Sequence, residues 1–438
     1  MRPILTILVA ATVLAACAEE EIILPGERLP IRPESDGSVL ASATAPAAPD
    51  RLPIALPAAQ RLAAWPLRVG NAANDPSHAT LSAAPQRFWS ANIGAGDSRR
   101  LRITADPVSD GRAIYTMDAQ SRVVATTLGG ARIWSRSLVP SFERDSDASG
   151  GGLAVADGLV FGSTGYGEVH ALDAATGAER WVQRLDAPIT TPKVVDGAVY
   201  VVSRDGRAWS IDAGTGRIRW DVPSQPSTTV MATAPAPAVT ERLTIFPFGS
   251  GELQAVLRQT GLRVWGSSVS GQRLGVAYGG IGDITGDPVV SDGVLYAGTA
   301  AGRIVALDVA SGTRRWTATD GAVSPVAVAG GSVFAITDRA QLIRMDARTG
   351  EVLWRRDLPF YRARRLTRRE GIFAHYGPVL AGGRLWVSSS DGILRGFDPA
   401  TGAVQAQAAI PGGAASRPIA FGDALYVTGR DGQLHAYR

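Results

Sequence analysis

From Gln86 to the C-terminus the chain is a succession of short apolar runs broken by polar, glycine-bearing turns. Ala198-Val-Tyr-Val-Val-Ser203 is typical: short for a helix, and rich in the β-branched and aromatic residues that suit a pleated strand. In the unit that begins at Pro192 the pattern predicts four strands, at 193–195, 198–203, 207–212 and 217–222, with turns at 204–206 and 213–216.

That unit repeats. A turn pair opens each copy: Asp110-Gly111, Asp157-Gly158, Asp196-Gly197, Glu241-Arg242, Asp292-Gly293, Gly330-Gly331, Gly382-Gly383 and Gly422-Asp423. Asp-Gly and Gly-Gly favour the primed turns that join antiparallel strands. A tryptophan follows at a constant 24 residues (110 to 134, 157 to 181, 196 to 220, 241 to 265, 292 to 316, 330 to 354), and Ala406 replaces it in the seventh copy. Glycine stands four residues earlier in all seven: Gly130, Gly177, Gly216, Gly261, Gly312, Gly350 and Gly402. The eighth copy stops at Arg438 without a fourth strand, while Gln86-Arg-Phe-Trp-Ser90 reads as an unattached fourth strand with its tryptophan in place. Self-similarity at this period marks a repeat architecture, and four short antiparallel strands per repeat make a propeller blade. The prediction is an all-β, eight-bladed β-propeller over residues 82–438. Its blades are four-stranded and antiparallel, and the N-terminal strand pairs with the C-terminal blade to close the ring and remove an exposed edge. Trp89, Trp134, Trp181, Trp220, Trp265, Trp316 and Trp354 are expected to wedge between blades, each burying ~150–250 Å².

All length variation falls between one tryptophan and the next turn pair. In an up-and-down blade these connections share one mouth of the ring, so the longest, Ser137–Gly152, Val222–Pro237, Gly266–Gly286 and Asp357–Gly377, gather there. Loops on a rigid scaffold are where function concentrates. The last of them carries Arg362, Arg364, Arg365, Arg368 and Arg369, an anion-attracting patch.

Composition narrows the chemistry. Lys193 is the only lysine, and a net charge of +4 over 438 residues does not argue for nucleic acid binding. The four histidines, His78, His170, His375 and His435, have no metal-ligand spacing, so no metal site is expected. The glycine runs at 94–96 and 150–152 do not sit between a strand and a helix, and no Ser-His-Asp constellation stands out. No catalytic residue and no cofactor are expected.

The N-terminus combines Arg2, a short apolar run from Ile4 to Leu14 and small residues before Cys17, which is the pattern of a secretion signal over residues 1–16. Leu14-Ala-Ala-Cys17 resembles a bacterial lipobox, which implies that Cys17, the only cysteine, is acylated; Ala18 in place of Asp implies sorting to the outer membrane. Residues 17–81, rich in Ala and Pro, are expected to be a flexible tether.

The stretches Ala171-Leu-Asp-Ala-Ala-Thr-Gly177 to Trp181 and Ala306-Leu-Asp308 to Trp316 resemble the quinoprotein-like (PQQ-type) blade signature. Two kinds of protein carry such blades. Quinoprotein dehydrogenases hold the quinone in the channel over a vicinal disulfide and beside calcium, and the resemblance to them implies a periplasmic oxidoreductase. BamB-like lipoproteins of the outer-membrane β-barrel assembly machinery share the lipobox, linker, length and eight blades; that resemblance implies a non-enzymatic scaffold that docks on a POTRA domain of BamA. In that family one contact loop carries Asp-x-Asp before the next blade. Here Asp283-Ile284-Thr285 aligns with it, keeping the first Asp. The other contact loop falls at Ser227–Ala234, where Val230 and Met231 would supply apolar contact. A third reading is an envelope-polymer-binding propeller acting through Arg362–Arg369.

Overall fold

The computed structural model describes residues 53–438 apart from 228–234, 272, 274–280, 364, 366 and 367. Its strands form eight four-stranded antiparallel sheets, and no α-helix occurs among the described residues. Blades 1 to 7 span 108–137, 153–184, 193–223, 238–268, 289–318, 327–357 and 375–409, each in simple up-and-down order. Blade 3 shows how closely the alternation is obeyed: its strands are Lys193–Val195, Ala198–Val202, Arg207–Asp212 and Ile218–Pro223. Blade 8 takes three strands from 419–437 and its outer strand, Arg87–Asn92, from the other end of the chain. Ser90 pairs there with His435, and the corner is closed by reciprocal backbone bonds between Gln86 and Arg438 at 2.8 and 2.9 Å.

The two middle strands of each blade are almost wholly buried, because both faces of the sheet meet a neighbouring blade; the outer strands alternate between exposed and covered positions. The tryptophans close the gaps. Each indole lies on the glycine of the next blade: Trp89 on Gly130, Trp134 on Gly177, Trp181 on Gly216, Trp220 on Gly261, Trp265 on Gly312, Trp316 on Gly350 and Trp354 on Gly402. The indole N–H also crosses to that blade, as in Trp134 Nε1 to the Ala174 carbonyl at 2.9 Å, at every position except Trp220. The alanine at 406 now has a physical reason. Blade 8 has no glycine turn to receive a tryptophan, since its third and fourth strands come from distant parts of the chain and meet there through Arg438 and Gln86.

The glycine turn is itself built by the aspartate before it. Asp173 accepts from the backbone and hydroxyl of Thr176 and from Arg180, which together hold its carboxyl down to about 2; Arg180 is the leading cause. Asp212 and Asp308 repeat the arrangement with Arg219 and Arg315.

One expectation is corrected. The tether does not run free to residue 81: residues 53–81 pack onto the ring and belong to its compact unit. Apolar side chains alternate at Trp65, Leu67 and Val69, and burying them holds the segment down despite its Ala- and Pro-rich surroundings.

Candidate functional site

The ring has two mouths. The turn pairs between first and second strands define one, and the long connections between blades define the other. Residues 53–81 close the first as a strap that reaches every blade. Its backbone exchanges bonds with Ser109 of blade 1 through Trp65 and accepts from Val155 of blade 2 at Pro66. Ala72 and Ala73 accept from Val239 and Val290 of blades 4 and 5 at 2.9 Å, and Leu62 accepts from Gly422 of blade 8. Ala79 bridges to Ala381 of blade 7, and Ile54 and Leu56 pack into the apolar cluster of blades 6 and 7. The inner strands would otherwise present open edges to the channel; the strap pairs with them.

Near its middle the strap meets buried charged side chains from the blades. Arg68 reaches Asp106 at 3.0 Å and Asp287 at 3.5 Å. Asn74, in a left-handed conformation at φ 61°, donates to the Pro237 and Pro288 carbonyls. Lys193 of blade 3, wholly buried, donates to the Asn71 carbonyl at 3.0 Å and to the Asn74 side chain. Arg417 closes the ring of charge from blade 8, its backbone N–H on Asp106. A single cysteine cannot make the vicinal disulfide that the resemblance to quinoprotein dehydrogenases implies.

Burial dominates the protonation of this cluster. It holds Lys193 down to about 7 and raises Asp287, with the opposite charges only partly offsetting it. The unfolded lysine titrates near 10.5, so between the two values the unfolded chain binds more protons than the folded one. Stability is therefore expected to rise as pH climbs from about 7 towards about 10, and to lack that contribution below 7. Unfolding free energies measured across that window should rise for the native chain and stay nearly flat for Lys193→Met; parallel slopes would contradict the assignment.

The opposite mouth carries the long connections. Asp283, Ile284 and Thr285, expected as contact residues, are 1%, 0% and 2% exposed. Asp283 pairs with Arg204 of blade 3 at 3.3 Å, Ile284 bridges to Thr299 of blade 5, and the Thr285 hydroxyl donates to the Ala322 carbonyl. These residues root their loop and present no side chain to a partner, which corrects the expectation that they touch one. Earlier in that loop, Arg273 crosses to Asp338 of blade 6 at 2.6 Å, and in the next connection Asp320 is gripped by both terminal nitrogens of Arg355 at 2.7 and 2.8 Å. Sequence reading missed these ties, since each joins residues far apart in the chain. Val230, Met231 and Cys17 lie outside the described residues. The last long connection folds back on itself: Tyr361 pairs with Ile372, and Phe373 donates to the Phe360 carbonyl at 2.8 Å.

Comparisons with known proteins agree with this architecture. The family model described as outer membrane protein assembly factor BamB matches residues 119–356. Among curated relatives, the outer membrane protein assembly factor BamB of Salmonella typhimurium is 31% identical over 80% of this chain and 88% of its own length. The Escherichia coli protein of the same name is 29% identical over the same shares. Among solved structures, BamB from Moraxella catarrhalis superposes with a TM-score of 0.66 at 20% identity, covering 81% of this chain and all of that one. The quinohemoprotein alcohol dehydrogenase of Comamonas testosteroni reaches the same TM-score at 16% identity, over 86% of this chain and 81% of that one, so the fold alone is common to both kinds of protein. The sequence matches single out one of the two, and the chain belongs to the family of the outer membrane protein assembly factor BamB.

Proposed function

We propose that the chain is a non-enzymatic scaffold subunit of the outer-membrane β-barrel assembly machinery, docking through its long-loop mouth on the POTRA domain of a BamA-like protein. The observation that carries this reading is the asymmetry of the two mouths: the chain's own strap covers one, and the other holds every long connection between blades. Val230 and Met231 supply apolar contact in this reading. Asp283, Ile284 and Thr285 act beneath the surface, holding the neighbouring loop against blades 3 and 5. An acyl group on Cys17 anchors the propeller to the periplasmic face of the outer membrane, with residues 18–52 as the tether.

Affinity purification from detergent-solubilised membranes after crosslinking tests the docking. The native chain is expected to bring down the BamA-like subunit. Met231→Glu should abolish recovery through direct contact, and Asp283→Ala should lower it by releasing the root of its loop. Recovery of the native chain without that subunit would sink the proposal.

A further inference from the structure

The hairpin between blades 6 and 7 concentrates arginine beside apolar side chains. Several arginines of the blades are held by carboxylates, as in Arg180 on Asp173, Arg219 on Asp212, Arg263 on Glu252 and Arg315 on Asp308. In this hairpin Arg362, Arg365, Arg368 and Arg369 are all exposed, and none makes an ion pair among the described residues. Glu370 is the only acid between Leu358 and Tyr376, against five arginines in the same stretch. The base of the hairpin is apolar and half-open to solvent: Tyr361 is 41% exposed and Ile372 51%, although they pair with each other. Arg369 lies over the Tyr361 ring at 4.8 Å, and Arg362 Nε donates to the Ile372 carbonyl at 3.1 Å.

We infer that this hairpin is a second attachment point that binds the surface of an anionic phospholipid bilayer. Three features favour a bilayer over an acidic protein. Among the described residues the guanidinium groups at 365 and 368 have no partner fixing their direction, which suits a deformable field of phosphates better than a fixed acidic patch. An aromatic and an aliphatic side chain stand beside the charges, as at a headgroup boundary, where tyrosine and arginine sit together. The charge is dense and strongly positive, the property that draws basic segments to anionic leaflets at about fivefold in partition per arginine. Guanidinium heads would lie among the phosphates while Tyr361 and Ile372 cover the outermost acyl carbons. This inference goes beyond docking on an assembly subunit and does not depend on it.

The test is flotation of the full chain as Cys17→Ser, which carries no acyl group, with vesicles of phosphatidylethanolamine and phosphatidylglycerol, and with vesicles of phosphatidylcholine alone. The chain is expected to float with the anionic vesicles, to release as salt is raised, and to ignore the neutral ones. Reversing Arg362, Arg365, Arg368 and Arg369 to glutamate should lower partition at least several hundredfold. Replacing the same four by lysine should retain most of it, and that variant also guards against a folding defect. Tyr361→Ala with Ile372→Ala should weaken binding without changing its dependence on salt. Equal flotation of the charge-reversed chain, equal binding to neutral vesicles, or no flotation of the parent chain at low salt would each overturn the inference. Because no assembly subunit is present in the assay, its outcome is separate from that of the docking proposal.

Discussion

Replacing Arg68 by alanine is expected to destabilise the propeller by ~3–5 kcal/mol, the usual cost of removing one partner from a buried ion pair. The guanidinium lies between Asp106 and Asp287 at the channel axis, where Asp287 is inaccessible to solvent and Asp106 nearly so. Its loss leaves two carboxylates facing each other with only Lys193 and Arg417 to balance them, and burial already disfavours the charged form of Lys193. It also frees the middle of the strap, whose neighbouring bonds reach blades 1, 2, 4 and 5. Equilibrium unfolding in urea measures the cost. Asp287→Ala should then be cheaper in the Arg68→Ala background than alone, because the two side chains share one interaction. A loss under about 1 kcal/mol would mean that the strap rests on the ring as a surface segment instead of closing it.

The second large effect belongs to the blade contact. Trp134→Ala is expected to cost about 3 kcal/mol or more, since it removes an aromatic wedge and opens a void between blades. Its partner, Gly177, sits at φ 70°, and a Cβ there would stand 2.7 Å from the Trp134 ring. Gly177→Ala in the native background therefore carries both a clash and the cost of a left-handed alanine, about 1–2 kcal/mol for the backbone alone. With Trp134→Ala already present the clash is gone, so the same glycine substitution should cost only the backbone part. Thermal or urea unfolding of the two single variants and the double variant measures the difference. Strict additivity would show that the ring and the glycine do not meet.

Most of the fold was legible because it is written in equal intervals. The distance from turn pair to tryptophan is constant, and so is that from glycine to tryptophan; both follow from a blade that must present its ring to the next blade's turn. The departures were legible too: Ala406 and the orphan strand at Trp89 belong to the one corner where Arg438 meets Gln86 and no turn joins the third and fourth strands. The strap escaped notice because its residues are judged by composition in a linear reading. Ala, Pro and Asn suit a mobile linker, yet here Ala72 and Ala73 offer carbonyls to inner strands and Asn74 caps two of them. The alternation Trp65, Leu67, Val69, a period of two beside Arg68, was the available signal. The Asp283 loop was misjudged for a different reason. Position in a long loop suggested exposure, but an aspartate whose partner lies 79 residues away in Arg204 cannot reveal its burial in one dimension.

The chain's own strap covers one mouth of the ring, and in the proposed reading the other mouth meets the partner. Photo-crosslinking in living cells from exposed positions on each side tests this division most directly. Crosslinkers at Gln225 and Ser268, beside the long loops, are expected to form adducts with the BamA-like subunit; crosslinkers at Ala58 and Asp157, on the strap side, are expected to form none. Adducts from Ala58 and Asp157 with none from Gln225 and Ser268 would contradict the account.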